Sequence, residues 1–299
     1  MPYHSDQYLS DLPKLTNLLP AILCKSNKVF SKEQALPKER YWVENIQLAM
    51  DNMKVFNQLT AWHHNDIVHP GYLHTLGFPL QLKLMLHKGF PFSMMGVVHI
   101  ANKIVQYQKV HPESRVDVSC QLGEIKQLKM GCLFAIETEF FVEQQRVMYA
   151  KHQYLRRADS LIKPKTRIPQ QSNWMCSDKY GIWPLSATLG WQYAKCSQDF
   201  NPIHLHPLSA KLLGFKQHII HGMWMKSRAF SALCGTNKTN LSPALNCEVE
   251  FKKPLFLPNT VLFQQRTLSS NENTEFRISS NVNHQTIEHM TGRLAILDS

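Results

Sequence analysis

Residues 245–253 read LNCEVEFKK and residues 116–124 read VDVSCQLGE, so both stretches alternate apolar with polar side chains. Strict alternation predicts a β-strand with one face toward the core. The two stretches lie 129 positions apart, and the same offset relates Leu128 to Leu257. Two further apolar runs follow each stretch, CLFAIETEFFV and RVMYAKHQYL in the first case and TVLFQQRTL and TEFRISSNVN in the second. The repeated order predicts an internal duplication.

A glycine-containing apolar stretch precedes each set of strands. The first is FPFSMMGVVHIANKI around Gly96, and the second is QHIIHGMWMKSRAFSALCG around Gly222. We expect each stretch to form a buried helix. A helix followed by consecutive antiparallel strands, present twice, is an α+β arrangement.

The duplication divides the chain into two halves, residues 1–155 and 182–299. Residues 156–181 between them show no clear period and contain several Pro, Ser and Lys residues. This composition predicts a connector, to which we assign no chemistry.

Composition limits the classes of function. The chain has 299 residues, of which 43% are hydrophobic and 18% charged, and this supports folded cores. The 33 Lys and Arg residues against 22 Asp and Glu residues give a net charge of +11, which favours an anionic partner. No basic run with interleaved aromatic residues is present, so nucleic acid is not the expected partner.

The cysteines and the apolar runs indicate a compartment. The seven cysteines include no CxxC pair, which is typical of reduced thiols in the cytosol. The chain shows neither a basic start with an apolar stretch behind it nor an apolar run of about 18 residues or more. We therefore expect a cytoplasmic protein without a membrane partner.

Residues 198–204, QDFNPIH, place a carboxylate at Asp199 and an imidazole at His204. Pro202 lacks a backbone donor and disfavours helical geometry at Asn201, so the chain should turn between them. A turn lets Asp199 and His204 converge, and a converging acid and base can move a proton. The alternative is an ion pair that only holds a surface loop.

The segment around this turn resembles the MaoC-like dehydratase family, which includes the (R)-specific enoyl-CoA hydratases. The family signature is A-x-x-S-G-D-x-N-P-x-H, followed about 17 residues later by HGM. The matching residues are Ala194, Ser197, Asp199, Asn201, Pro202, His204, Ala210, Gly214, Phe215, His221, Gly222 and Met223. One position departs, because Gln198 stands where the family has glycine.

The resemblance implies a double hot dog, in which two helix-wrapped antiparallel sheets form a pseudo-dimer. The first half lacks the motif, and its nearest stretch, HHNDIVHPGYLHTLGFP, keeps histidines but not the Asp or the spacing. The resemblance therefore implies one catalytic site per chain, in residues 182–299. The pseudo-dimer could exist as a monomer or pair into a homodimer.

The implied reaction interconverts trans-2-enoyl and (R)-3-hydroxyacyl thioesters carried on CoA or on an acyl carrier protein. Asp199 and His204 would act as a base and an acid on one water, and the sequence does not tell which residue moves which proton. Asn201 would orient the water or hold the loop through its amide. A helix beginning near Gly222 would aim backbone N–H groups at the thioester oxygen. The scheme requires no metal and no organic cofactor.

Four alternatives remain beside this hydratase. A non-catalytic acyl-thioester binding protein and a hot-dog thioesterase would use the same fold. Zinc at His204 and His206, with His218 and His221 nearby, is disfavoured because no further ligands appear at recognisable spacing. Gly222 could also be a glycine needed only for close packing. The acyl chain length and the choice between CoA and carrier protein stay open.

Overall fold

The computed structural model describes residues 5–14, 18, 36–93, 96–129, 131–157, 174–176, 181–235, 244–267, 273–283 and 285–297. The strands are β1 (Ser5–Leu9), β2 (Glu39–Gln47), β3 (Val97–Gln106), β4 (Arg115–Leu128), β5 (Gly131–Val142), β6 (Gln145–Arg157), β7 (Met175–Cys176), β8 (Ile182–Leu185), β9 (Leu245–Phe251), β10 (Asn259–Thr267), β11 (Asn273–Val282) and β12 (Gln285–Ile296). The α-helices are α1 (Met50–Thr60), α2 (Pro70–Met85), α3 (Leu189–Ser197), α4 (Pro207–Leu212) and α5 (Gly222–Cys234).

All the described strands belong to one sheet. Its order is β1-β2-β4-β5-β6-β3-β9-β12-β11-β10, with β7 and β8 pairing along the outer edge of β10. The first half contributes β2-β4-β5-β6-β3, and the second contributes β8-β10-β11-β12-β9 in the same relative order. The halves meet where β3 pairs antiparallel with β9. The duplicated α+β fold predicted from the sequence is confirmed.

The predicted alignment of the two halves is wrong by one strand. β9 occupies the position of β3 in the first half, and β4 corresponds to β10. The helix expected around Gly96 is also wrong, because Val97–Gln106 forms strand β3. The helix of the first half is α2, which begins 26 residues earlier at Pro70.

The long helices α2 and α5 begin in the same way. His69 and His221 are their N-cap residues, both in extended backbone conformation. The His69 ring accepts a hydrogen bond from Gly71 N, and Pro70 occupies the first turn, where its missing N–H costs nothing. The two helices approach closely, because a Cβ at Gly71 would lie 2.2 Å from Ser227 Oγ. Each half thus wraps one helix with its sheet.

Lys226 of α5 fastens the two halves together. Its buried ammonium group donates hydrogen bonds to Cys247 O (2.9 Å), to Asn102 O (3.3 Å) and to the Asn102 side-chain oxygen. Asn102 lies on β3 and Cys247 on β9, the strands that join the halves. The Asn102 amide donates in turn to His152 Nδ1 (3.0 Å). We call Lys226, Asn102 and Cys247 the junction clamp.

Five cysteines of the described residues are free and buried, namely Cys120, Cys132, Cys196, Cys234 and Cys247. No helix in the described ranges is both long enough and apolar enough to cross a membrane. Most of the connector, residues 158–173 and 177–180, lies outside the described residues.

Candidate active site

Helix α3 ends one residue before the predicted turn. Gln198 is its C-cap residue, with φ 60° and ψ 14° in the left-handed region. A side chain in this region costs about 1–2 kcal/mol, and glycine avoids the cost. The left-handed backbone explains why the family signature has glycine at this position. In this chain the same turn forms with Gln198.

The loop after Gln198 is held by its own side chains. Asp199 Oδ1 accepts a hydrogen bond from Asn201 N (3.2 Å), and Asn201 Oδ1 accepts one from Ile203 N (3.4 Å). Pro202–His204 then forms a single 3-10 turn with Asn201 as its N-cap. The Asn201 residue is exposed, so its amide is placed to hold the loop.

The turn brings Asp199 and His204 together as predicted. His204 is buried, and its Nδ1 lies 2.8 Å from Ile219 O. A carbonyl oxygen only accepts, so neutral His204 carries its proton on Nδ1 and leaves Nε2 as an acceptor. A ligand-type atom of Asp199 and one of His204 lie within 4.8 Å of each other. The Asp199 side chain is 27% exposed, which leaves the pair open to a small molecule.

His221 matches the motif in the sequence, but the sequence alone assigns it no role in the site. Its ring stacks on His204, with ring centroids 3.7 Å apart. Its Nε2–H donates to Asp199 O at 2.9 Å. His221 therefore holds both members of the pair in place. Its position next to Gly222 in the HGM motif was the available signal.

Burial moves the pKa values of the three side chains toward their neutral forms. It raises the pKa of Asp199, against the opposing effects of His204 and of the Asn201 N–H. It lowers the pKa of His204, although Asp199 and the Ile219 carbonyl favour the charged imidazolium. It lowers the pKa of His221 well below its usual value, and neighbouring His204 adds to the effect.

Gly222 begins α5 beside this cluster. The first N–H groups of a helix have no partner inside it, so the start of α5 presents free donors. The ring of Phe251 covers the glycine, because a Cβ there would lie 2.9 Å from Phe251 Cε1. Gly222 thus leaves room for the Phe251 ring, and its predicted role toward the thioester oxygen stays a prediction.

A protein-family model matches the second half of the chain. Residues 182–289 match the family model described as a MaoC like domain. These residues form a MaoC-like domain. The domain contains Asp199, His204, His221 and Gly222.

The chain also resembles characterised proteins. It is 26% identical over 246 residues to 3-hydroxyacyl-thioester dehydratase X of Mycobacterium tuberculosis, which covers 82% of this chain and 86% of the relative. It is 39% identical over 70 residues to the (R)-specific enoyl-CoA hydratase of Aeromonas caviae, which covers 23% of this chain and 52% of that enzyme.

Solved structures confirm the fold. The crystal structure of HtdX of Mycobacterium tuberculosis superposes with a TM-score of 0.71 at 22% identity, covering 87% of this chain and 100% of that one. A second Mycobacterium tuberculosis protein, described as having a double hotdog fold, superposes with a TM-score of 0.53 at 7% identity, covering 91% and 96%. The fold of the chain is therefore a double hot dog.

The MaoC-like domain brings three potential metal ligands together, Asp199, His204 and His221. One ligand-type atom of each lies within 4.8 Å of the others. However, the rings of His204 and His221 stack, with centroids 3.7 Å apart. The lone pairs of stacked rings run side by side and do not converge on one ion at about 2.1 Å. The arrangement suits proton transfer better than metal binding.

Three residues near the motif make hydrogen bonds that hold the backbone around the site. His206 is exposed and accepts Leu208 N at the start of α4, as expected of a loop histidine. His218 lies in the loop before α5, is buried and binds Ala187 O at 2.7 Å, which is a structural contact. Ser197 Oγ accepts Asp199 N (3.3 Å) and so supports the turn.

The thiol beside Ser197 is not set up as a nucleophile. Cys196 is buried, and burial raises the pKa of its thiol to about 12. A thiol that stays protonated at neutral pH is a poor nucleophile.

The start of α2 lacks the corresponding constellation. His69 binds Ser227 O (3.1 Å) and is buried against Phe56, Trp62 and Phe230. Burial lowers the pKa of His69 to about 3. Aromatic rings thus close this end of the first helix, whereas the start of α5 adjoins the partly exposed Asp199.

His221→Phe should lower kcat about tenfold with little change in KM. Phenylalanine keeps a ring against His204 but cannot donate to the Asp199 carbonyl, so the loop loses one of its supports. Steady-state kinetics with an enoyl thioester measures the effect, and the exposed His206→Gln serves as the matched control. Full activity in His221→Phe would show that the Asp199 loop does not depend on this hydrogen bond.

Proposed function

We propose that the chain is a hydro-lyase of fatty-acid metabolism that interconverts trans-2-enoyl thioesters and (R)-3-hydroxyacyl thioesters. The observation that carries the proposal is that a carboxylate oxygen of Asp199 and a ring nitrogen of His204 lie within 4.8 Å of each other, beside the start of α5. The names of the relatives, a 3-hydroxyacyl-thioester dehydratase and an enoyl-CoA hydratase, support it. No metal or organic cofactor enters the scheme.

In the hydration direction, Asp199 and His204 hold one water and share one proton. Burial raises the pKa of Asp199 and lowers that of His204, so the two pKa values move toward each other and a proton can pass between the two groups. His204 Nε2 takes a proton from the water as the oxygen attacks C3, and Asp199 delivers its proton to C2. A proton then returns from His204 to Asp199 and restores the starting state. The pair titrates as a unit.

The negative charge that develops on the thioester oxygen needs donors. The start of α5 adjoins the catalytic loop through the contact of His221 with Asp199 O, and its first N–H groups carry the positive end of the helix dipole. Gly222 would contribute the first of them, while the space beside its Cα is taken by the Phe251 ring. Asn201 keeps the loop in shape through its bond to Ile203 N.

The catalytic site lies in one half of the chain only. The first half has aromatic packing at the start of α2, and its role is to complete the fold and to shape the acyl pocket. The buried free thiols support a reducing compartment such as the cytoplasm. The fused halves would act as a monomeric pseudo-dimer or as a homodimer of pseudo-dimers.

One assay separates the hydratase from a binding protein and from a thioesterase. An enoyl thioester is followed by the absorbance of its conjugated band while a reagent detects free thiol. Hydration removes the band without releasing thiol, hydrolysis releases thiol, and a binding protein does neither. A tight substrate analogue should saturate at one equivalent per chain, and two equivalents would reveal a second site in the first half.

A further inference from the structure

Two leucines of α4 point into solvent beside the catalytic loop. Leu208 is 66% exposed and Leu212 is 88% exposed. They are four residues apart, so they lie on one face of this short helix. Large apolar side chains this exposed and adjacent are typical of a surface that a partner covers.

Lysines accompany these leucines. Lys211 and Lys216 are exposed on or next to α4, and exposed Lys195 stands over the ring of Trp191 at 5.4 Å. Within the described residues, none of these three ammonium groups lies at ion-pair distance from a carboxylate. Between residues 181 and 235 the only acidic side chain is Asp199, which belongs to the catalytic loop. The surface is therefore basic as well as apolar.

Helix α4 is fixed directly to the catalytic loop. Ser209 Oγ donates to Pro202 O at 2.7 Å and so fastens the helix to the 3-10 turn. Leu208 follows His204 by four residues, so their Cα atoms are at most about 14 Å apart. Whatever binds α4 thus lies next to the catalytic loop. We call Leu208, Lys211, Leu212 and Lys216 the α4 face.

We propose that the α4 face docks an acidic acyl carrier protein, which presents the thioester to Asp199 and His204 on its phosphopantetheine arm. The proposal rests on the hydro-lyase function above and names its substrate carrier. The phosphates of free CoA would satisfy the lysines but would leave Leu208 and Leu212 in water. A small acidic protein satisfies both, because its carboxylates meet the lysines and its apolar side chains cover the leucines.

The test compares one enoyl group on three carriers. The double variants Leu208→Ser/Leu212→Ser and Lys211→Glu/Lys216→Glu are assayed with the enoyl-acyl carrier protein, with enoyl-CoA and with the small enoyl-N-acetylcysteamine thioester. For each variant, kcat/KM with the carrier protein should fall at least about tenfold, the scale of losing an interface anchor. With the small thioester it should change less than about twofold. Val282→Ser and Lys129→Glu, exposed positions outside the face, are the matched controls and should leave all three rates unchanged.

Other outcomes overturn the proposal. Unchanged kinetics with the carrier protein, or an equal loss with both substrates, would mean that the face does not dock the carrier. An equal loss with enoyl-CoA and the carrier protein would assign the lysines to the nucleotide. A loss of self-association in sedimentation, without a kinetic change, would assign the face to a second copy of this chain.

Failure of the proposed function has a different signature from failure of the docking. If the wild-type chain hydrates none of the three thioesters, the hydro-lyase assignment fails. Binding of the holo carrier protein, followed by fluorescence anisotropy, then still tests the face. Weakening of that binding by both double variants supports docking, and unchanged binding rejects it.

Discussion

Asp199→Asn and His204→Gln should each lower kcat for hydration by at least about a hundredfold, the usual scale for losing a positioned acid or base. Each substitution keeps the shape of the side chain and removes its ability to exchange the shared proton. The double variant should be little worse than the worse single variant, because the two residues act as one unit. Stopped-flow or steady-state loss of enoyl absorbance measures all three.

The control for this prediction is His206→Gln, which lies two residues from His204 and should keep most of the activity. Thermal unfolding of all four proteins separates catalysis from folding. Near-full activity together with a large fall in Tm for the Asp199 and His204 variants would make the pair a structural ion pair. The mechanism proposed for it would then be wrong.

In the wild type, the free energy of unfolding should rise by about 3 kcal/mol as the pH increases from about 8 to 10.5, and Lys226→Met should remove this rise. Burial lowers the pKa of Lys226 to about 8 in the folded chain, from 10.5. Between these values the unfolded chain binds one more proton than the folded chain, so stability increases as the pH rises. The cost of burying the charge is fully present below pH 8 and is released by about pH 10.5. Methionine has no proton to lose.

The measurement is urea unfolding of the wild type and of Lys226→Met at pH 7.5 and pH 10.5. Groups that do not touch Lys226 titrate alike in both proteins, so the difference between the proteins reports Lys226 together with its coupling to Cys247, whose pKa burial raises and the Lys226 charge lowers. Lys129→Met, at an exposed position, should show no such difference. A constant difference between wild type and Lys226→Met at both pH values would show that Lys226 keeps an ordinary pKa.

The fold was predictable where side chains alternate and not where they are buried on all sides. β4 and β9 each have a polar face, so their alternation is visible in the sequence. Of the 16 residues of α2, 13 are buried, and Pro79 lies inside the helix. No polar stripe remains to reveal a helical period. The helix was therefore predicted around Gly96, where the apolar strand β3 lies. Because β3 was not predicted as a strand, β4 was aligned with β9 and not with its true counterpart, β10.

The site was predictable where its residues are close in the chain. Asp199 and His204 converge because a turn of five residues brings them together, and such turns carry a local signal. His221 reaches the pair only because α5 starts against the same loop, and no local pattern reports that contact. The left-handed backbone at Gln198 likewise arises because α3 ends there. The resemblance to the family showed that glycine is usual at this position, but not that the backbone is left-handed.

The pairing of β3 with β9 has a consequence for the enzyme at low abundance. Hot-dog units that assemble from separate subunits come apart on dilution, because their association follows mass action. Here one polypeptide joins the halves, so they meet at an effective concentration set by the linking segment and independent of how much protein is present. The junction clamp then closes inside a single molecule.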